Sequence, residues 1–448
     1  MKYHIITLGC QMNLSDSERV ISVLDEAGYT WTDNEEEAGL IGILACSVRQ
    51  KAIDKVYSRI HKWNKWKNHK NLITFISGCI LPADHEKFLK LFDITFQMKD
   101  LPKLPELISK YGVTTPVHLK TGIDPHNENI ERFWDVKPSY QSEFEAFIPI
   151  QNGCDKFCTF CAVPYTRGRE VSRASKDILA ELSLLVDQGY KSITLLGQNV
   201  NSYGLDKKGG EITFPELLRR IGELGNRLKK EFWVYFTSPH PRDMTDEVVE
   251  VIAEYPVLGK QIHLPMQSGD DKVLMKMNRK HNMEKYRHIV HTIRRLIPQA
   301  TLFTDIIVGF TGETEEQFEN TRKAMEEFKF NMSYTAIYSP RPGATSNRWD
   351  DNIPVEVKKR RLHELTGELR KHTIPYNEKL VGKTIRVLVR GEDRKEGYLS
   401  ALTEGKLIVR FPSQDKSLIG NFNDVKITSA SDFSMEGRLV KKRAEVEV

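Results

Sequence analysis

The chain has 448 residues, 40% of them hydrophobic and 28% charged, with a formal net charge of +5. That length allows two or three domains with sizeable cores, and the apolar runs stop far short of the ~20 residues a membrane helix needs. Met1-Lys2-Tyr3-His4 runs straight into a strand pattern without a signal-peptide core, so a cytoplasmic protein with no membrane contact is expected. The weak positive charge permits a nucleic-acid partner without demanding one.

Residues 1–115 alternate strand and helix signals. Strands are predicted at 4–8, 40–45 and 72–77. Ser15 or Asp16 is the expected cap of a first helix, with Val20, Ile21 and Leu24 on one face and Gly28 as its stop. A second helix carries Ile53, Val56, Ile60 and Trp63 on one face. Repeated strand–helix units imply a flavodoxin-like parallel sheet covered by helices, with its strands' carboxyl ends along one ligand-binding edge.

Residues 116–142 are polar and carry Pro116, Pro125, Pro138 and Gly122, which reads as a linker. A second series follows over 143–375, with strands at 145–150, 192–196, 232–236, 261–264, 302–308 and 333–338. Six parallel strands with helices between them fit a partial (β/α)6 barrel. The polar groups that follow the strands include Gln198, Asn199, Gln267, Gly309 and Glu313, on the face where such barrels carry active sites. From 378 to 442 the pattern turns to short alternating strands at 385–389, 397–401, 406–410 and 424–427, a small all-β barrel. Lys383, Arg386, Arg390, Arg394, Lys395, Lys406 and Arg410 make it a candidate RNA binder, whereas Lys441-Lys442-Arg443 reads as a frayed tail.

The six cysteines fall into two sets of three. Cys154, Cys158 and Cys161 share the run Gly153-Cys154-Asp155-Lys156-Phe157-Cys158-Thr159-Phe160-Cys161. Cys10, Cys46 and Cys79 each follow one of the first three predicted strands and so should meet at one sheet edge. Reduced, clustered thiols are more often metal ligands than disulfides. A zinc knuckle normally takes four ligands; three cysteines in a short loop can instead hold three irons of a [4Fe–4S] cluster and leave the fourth open. The bland readings are a zinc site for the triplet and small core residues for the dispersed three.

The C-x-x-x-C-x-x-C spacing at the first strand of a β/α barrel resembles the radical S-adenosylmethionine (SAM) superfamily, and Ile307-Val308-Gly309-Phe310-Thr311-Gly312-Glu313 resembles its late glycine motif. Gly9-Cys10-Gln11-Met12-Asn13, Cys46-Ser47-Val48-Arg49-Gln50, Leu196-Gly197-Gln198-Asn199, His263-Leu264-Pro265-Met266-Gln267-Ser268-Gly269 and Tyr338-Ser339-Pro340-Arg341-Pro342-Gly343 resemble methylthiotransferases, and the final barrel resembles a TRAM domain. The resemblance implies two [4Fe–4S] clusters. A radical SAM cluster would sit on Cys154, Cys158 and Cys161, with an auxiliary, sulfur-carrying cluster on Cys10, Cys46 and Cys79. SAM would be methyl donor and radical source, with Gln198, Asn199, Gln267, Gly309 and Glu313 as its contacts. It also implies a tRNA substrate with an isopentenylated adenosine beside the anticodon, a reductant such as a flavodoxin or ferredoxin, and sulfur- and cluster-assembly partners. The rival readings are action on threonylcarbamoyl adenosine or on a ribosomal protein, which Gln11-Met12-Asn13 disfavours, and a non-catalytic, metal-stabilised RNA-binding protein. Leu44-Ala45 stand where Asn-Thr is usual in the family, and Thr311 where proline is usual. His61 to Lys70 mixes basic and aromatic residues and reads as a solvated helix end, while Arg167 and Arg341 read as RNA or SAM contacts or as structural ion pairs.

Overall fold

The computed structural model describes residues 1–47, 50–110, 130–207 and 209–440. Val48, Arg49, the expected linker over 116–129 and the basic triplet from Lys441 lie outside them.

The N-terminal sheet has five parallel strands, β1 (Lys2–Leu8), β2 (Thr30–Trp31), β3 (Leu40–Cys46), β4 (Ile73–Cys79) and β5 (Ile94–Thr95), in the order β2-β1-β3-β4-β5. β3 is buried along its whole length, as a central parallel strand should be. The edge strands β2 and β5 have only two residues each, too few to show a period in sequence. Helix α1 (Gln11–Glu26) begins earlier than Ser15 or Asp16. Cys10 is its N-cap, in extended conformation, and the Asn13 side chain turns back to accept from the Cys10 N–H. Ser15 and Asp16 are buried inside the helix instead, where Asp16 serves an ion pair described below. Helix α2 (Gln50–Trp66) buries Ile53, Val56, Ile60 and Trp63 as its period requires.

The end of the expected linker is not a linker. Ile130–Asp135 is helical, and Ile130, Phe133 and Trp134 are buried in the N-terminal core; three large apolar side chains outweigh the surrounding turn residues.

The central unit carries β6 (Glu145–Pro149), a short antiparallel pair β7 (Gln151–Asn152) and β8 (Val171–Ser172), then β9 (Ser192–Leu196), β10 (Trp233–Phe236), β11 (Gln261–His263), β12 (Thr301–Val308) and β13 (Met332–Ile337). β6, β9 and β10 form one parallel sheet, and β11, β12 and β13 another. Backbone bonds from Val234 N to Val257 O (2.7 Å) and from Gly259 N to Val234 O (2.9 Å) close the seam between them. The result is an arc of six parallel strands, open between β6 and β13, with all carboxyl ends at one mouth.

The long helix Val355–Glu378 leads to a closed five-stranded barrel of β14 (Thr384–Glu392), β15 (Tyr398–Thr403), β16 (Ile408–Pro412), β17 (Phe422–Ala430) and β18 (Ser434–Leu439). The fifth strand escapes sequence reading because its inward positions are Met435 and a glycine; Gly437 lies so close to Val425 that a Cβ would fall 2.4 Å from Cγ1.

This barrel docks against the amino-terminal end of the central strands. Trp233 and Tyr235 pack with Leu388 and Phe422, and the Trp233 and Phe422 rings lie 4.6 Å apart. Tyr235 Oη donates to Glu404 O (2.9 Å) and Thr301 Oγ1 to Gly405 O (2.7 Å). Arg386 pairs with Glu231 (2.6 Å), Arg390 with Glu145, and the Lys406 amine sits 4.0 Å over the Tyr235 ring. Lys395 pairs with Glu436 and Arg410 with Asp393 inside the barrel. Of the seven cations expected to meet RNA, five are therefore committed to docking or to internal pairs, because acidic residues face them. Lys383 and Arg394 carry no ion pair among the described residues.

Truncation at Glu378 should expose Trp233 and Tyr235, lower the thermal midpoint of the remaining chain and raise binding of a hydrophobic dye. Trp233→Ala in the full chain should cost about 3–5 kcal/mol in denaturant unfolding.

The seam between the N-terminal and central units contains a buried carboxyl. Glu18 is sealed from water, accepts from Gln141 N (3.3 Å), and has one oxygen without a partner. Burial raises its pKa to about 7. The folded state thus holds this proton more tightly than the unfolded chain, so its ionisation costs stability as pH rises from the ordinary carboxylate range through about 7. Glu18→Gln should stabilise the protein at pH 8, with the advantage disappearing as the pH falls below the ordinary carboxylate range; chemical unfolding at several pH values reads this directly.

Candidate metal centres

The three dispersed cysteines lie at the carboxyl ends of adjacent parallel strands. Cys46 and Cys79 are register partners on β3 and β4, Ser47 N donates to Cys79 O (2.9 Å), and the two thiols hydrogen-bond. Leu8 is paired with Ala45, so Cys10 leaves β1 at the same edge. Asn13, fully buried, ties the set together: its Oδ1 accepts from the Cys10 thiol (3.6 Å) and its Nδ2 donates to Ala45 O (3.1 Å). Gly78 must be glycine here. Its φ is +107°, and a Cβ would lie 2.4 Å from Ala45 O and 2.7 Å from Asn13 Nδ2. Ala45, where the family resemblance calls for threonine, contributes its carbonyl, which any side chain leaves in place.

The second set lies on the loop between β7 and the short helix Val163–Arg167. Gly153, at φ +78°, opens the loop and donates to Gln198 Oε1 (2.5 Å), while Cys154 N donates to Gly168 O (3.2 Å). Asn278 Nδ2 donates to Phe157 O (2.9 Å), Thr159 donates through Oγ1 to Lys276 O (2.9 Å) and through N to Met277 O (3.0 Å), and Arg279 Nη1 reaches the Cys158 sulfur at 3.5 Å. A five-residue helix cannot order such a loop; these clamps from the segment after Asp271–Lys276 do.

Arg167 joins the two sets. It ends the helix that follows Cys161, yet its Nε donates to the Cys79 sulfur (3.0 Å). Its Nη2 pairs with Asp16 Oδ2 (2.5 Å), its Nη1 donates to Asp16 Oδ1 and Asn152 Oδ1 (both 3.4 Å), and its carbonyl accepts from Asn152 Nδ2 (3.0 Å). Asn152 is two residues before Cys154. The guanidinium is thus an internal bridge, which removes it from the candidates for RNA or SAM contact. Arg341, the other candidate, donates to Gln50 Oε1 (3.0 Å) and anchors the start of α2 over the barrel mouth.

The expected SAM contacts divide into two groups. Asn199 is buried, donates to Ser202 Oγ (2.7 Å) and Asp243 Oδ2 (3.1 Å), and keeps Oδ1 without a partner; Gln267, at φ +70°, likewise keeps Oε1 without one. Both offer acceptors at strand ends. Gln198 and Glu313 are engaged in support. Glu313 accepts from Gly309 N (2.7 Å) and pairs with Arg361 (2.8 Å) in a sealed ion pair that fixes the glycine turn. Gly309 has φ +69°, with Lys358 closing in behind it. The Thr311 carbonyl accepts from Lys276 Nζ (2.7 Å), and its buried hydroxyl has no partner. Glu170 was not foreseen: it accepts from Ser202 Oγ (2.5 Å), has a free buried oxygen, and burial raises its pKa to about 7. Its only sequence signal was a charged residue next to a strand of two residues.

The donor chemistry fits two clusters. None of the six cysteines is in a disulfide. Burial pushes Cys161 up to about 12 and Cys154 up as well, and the hydrogen bond with Cys46 together with burial raises Cys79, so their thiolates need a cationic partner of the kind iron supplies. Among the described residues no three His, Cys, Asp or Glu side chains are gathered as around a single ion; cluster cysteines bind different irons.

Comparisons agree with this layout. Residues 148–325 match the Radical SAM superfamily, 2–98 the Uncharacterized protein family UPF0004, and 378–440 the TRAM domain. The chain is 39% identical to the tRNA-2-methylthio-N(6)-dimethylallyladenosine synthase of Sodalis glossinidius over 98% of this chain and 92% of that protein. It is 40% identical to the synthase of the same name from Dictyoglomus thermophilum, over 98% and 99%. Among solved structures, the radical S-adenosylmethionine methyltransferase TsrM of Kitasatospora setae shares the fold with a TM-score of 0.56 at 15% identity, over 77% of this chain and 75% of that one.

Removing one partner of a sealed ion pair leaves an uncompensated charge. Arg167→Met should therefore cost about 3–5 kcal/mol in unfolding of the metal-free protein. Adding Asp16→Asn should recover part of that loss, and the double-mutant cycle measures the coupling.

Proposed function

We infer that this chain, which belongs to the family of the tRNA-2-methylthio-N(6)-dimethylallyladenosine synthases, is a radical SAM methylthiotransferase acting on isopentenylated adenosine beside the anticodon of tRNA. The observation that carries the reading is the joining of two three-cysteine sets, from two separate folds, through one buried arginine at one barrel mouth. Replacing an aromatic C–H by a methylthio group needs a radical and a sulfur donor in the same cavity.

Cys154, Cys158 and Cys161 would hold one [4Fe–4S] cluster with SAM, and Cys10, Cys46 and Cys79 a second. Bound together, these groups supply a radical able to take hydrogen from an unactivated C–H bond and a methylated sulfur to replace it. The protein's own residues orient and enclose. Gln198, Asn278 and Thr159 fix the cysteine loop. Asn199 and Gln267 offer free acceptors for the SAM amino and hydroxyl groups, and Glu313 holds Gly309 in its turn. Arg167 sets the spacing of the two cysteine sets. The TRAM barrel packs against the far end of the central barrel.

The partners are tRNA, a one-electron donor such as a flavodoxin or ferredoxin, and proteins that deliver sulfur and clusters. No helix among the described residues is long and apolar enough to cross a membrane, and a cytoplasmic site of action accords with a tRNA substrate.

Anaerobically reconstituted protein should bind about eight irons, four at each set. Replacing Cys154, Cys158 and Cys161 together with alanine should leave about four and abolish 5′-deoxyadenosine formation. SAM cleavage by that triple variant would refute the assignment. Mass spectrometry of tRNA nucleosides from cells lacking the protein should show isopentenyl adenosine without its methylthio group; loss of a threonylcarbamoyl derivative instead would move the substrate to the rival branch.

A further inference from the structure

Five of the seven cations that sequence assigned to RNA in the TRAM barrel are engaged elsewhere, and other elements also carry positive surface that a polyanion would meet. Helix α2 has one. Lys51, Lys55, Lys62 and Lys65 fall within an arc of about 80° at 100° per residue, opposite the buried face of Ile53, Val56, Ile60 and Trp63. All four are exposed. The row runs about 21 Å along the helix at 1.5 Å per residue. Lys51, Lys55 and Lys65 have no ion pair among the described residues. Lys62 stands 3.6 Å from Glu35 and 4.5 Å over the Trp66 ring, with half its side chain in water. Arg59 and Lys67 are neutralised by Glu35 and Asp93, and Asp54 is the one acid within the helix.

The position of this row matters as much as its charge. α2 starts four residues after Cys46, and its first residue, Gln50, is held by Arg341 from the barrel. A nucleotide base that reaches the space between the two cysteine sets brings its phosphates to the rim, where Lys51 begins the row. We propose that the exposed face of α2 is a docking surface for the phosphate backbone of the tRNA substrate, running outward from the auxiliary cysteine edge; this rests on the functional reading above. An acidic electron carrier is the other polyanion to consider. It must reach the radical SAM loop, which is walled by Lys276 to Arg279 on the opposite unit, so the row is misplaced for it.

The test uses the full, reconstituted chain and a fluorescently labelled tRNA carrying isopentenyl adenosine. Lys51→Gln, Lys55→Gln, Lys62→Gln and Lys65→Gln are combined in one variant. A control variant carries Lys176→Gln, Lys229→Gln, Lys323→Gln and Lys329→Gln, four exposed lysines on the outer barrel. The α2 variant should lose about tenfold or more in affinity at moderate salt, and its slope of log affinity against log salt should fall by about 0.7–0.9 for each lost phosphate contact. The control should bind as wild type, and tRNA-independent 5′-deoxyadenosine formation and the thermal midpoint should be unchanged in both. An unchanged affinity and slope in the α2 variant overturns the proposal. So does unchanged tRNA binding with slower reduction by flavodoxin, which assigns the row to a protein partner. A wild-type chain without salt-dependent tRNA binding overturns the functional reading itself, and this surface with it.

Discussion

A guanidinium sealed from water needs partners on every side, and Arg167 finds them in two different folds. Asp16 lies in the first helix of the N-terminal sheet, Cys79 at the end of its fourth strand, and Asn152 at the base of the other cysteine loop. The distance between the two cysteine sets is therefore fixed by hydrogen bonds of 2.5–3.4 Å and not by the length of a connecting chain. Buried ion pairs contribute little net stability, but they penalise any arrangement that separates them. Here the penalised arrangements are those in which the two sets drift apart. Asn13 does the same on a smaller scale, holding Cys10 to the backbone beside Cys46.

The same economy governs the C-terminal barrel. Its apolar contact with Trp233 and Tyr235 docks it beneath the lumen of the central barrel. The ion pairs of Arg386 and Arg390 ring that contact and fix its orientation. A module that looks detachable in sequence is thus the floor of the central barrel. Its charge is directed inward, toward Glu231 and Glu145, which leaves Lys383 and Arg394 for outside partners.

What could be read in the sequence followed from short-range physics. Parallel strands with helical crossovers have a fixed direction, so cysteines at 10, 46 and 79 had to reach one edge. The spacing of the dense triplet at 154, 158 and 161 marked it as a candidate metal site, and its resemblance to the radical SAM motif suggested which chemistry. What could not be read depended on contacts between distant segments. Asp16 looked like a helix cap because the arginine that recruits it lies 151 positions away. Ile130–Asp135 looked like linker because its core lies in the preceding domain. Arg386 and Arg390 of the TRAM barrel looked available because Glu231 and Glu145 belong to another unit. Glu313 looked like a ligand because nothing near it in sequence announces Arg361.

These long-range pairings share one consequence for how substrate must approach. The TRAM floor packs against the far end of the central barrel, and the cysteine edge of the sheet covers the mouth through Arg167 and Arg341. Among the described residues, the open side between β6 and β13 offers access to the mouth. A folded RNA is far too wide to enter that space, so only an extruded nucleotide can, with its neighbours left outside against the rim. Base extrusion costs a few kcal/mol of stacking, least for a nucleotide already in a loop. A site walled in this way selects loop nucleotides by shape before any atom of the base is read, and the anticodon loop meets that condition.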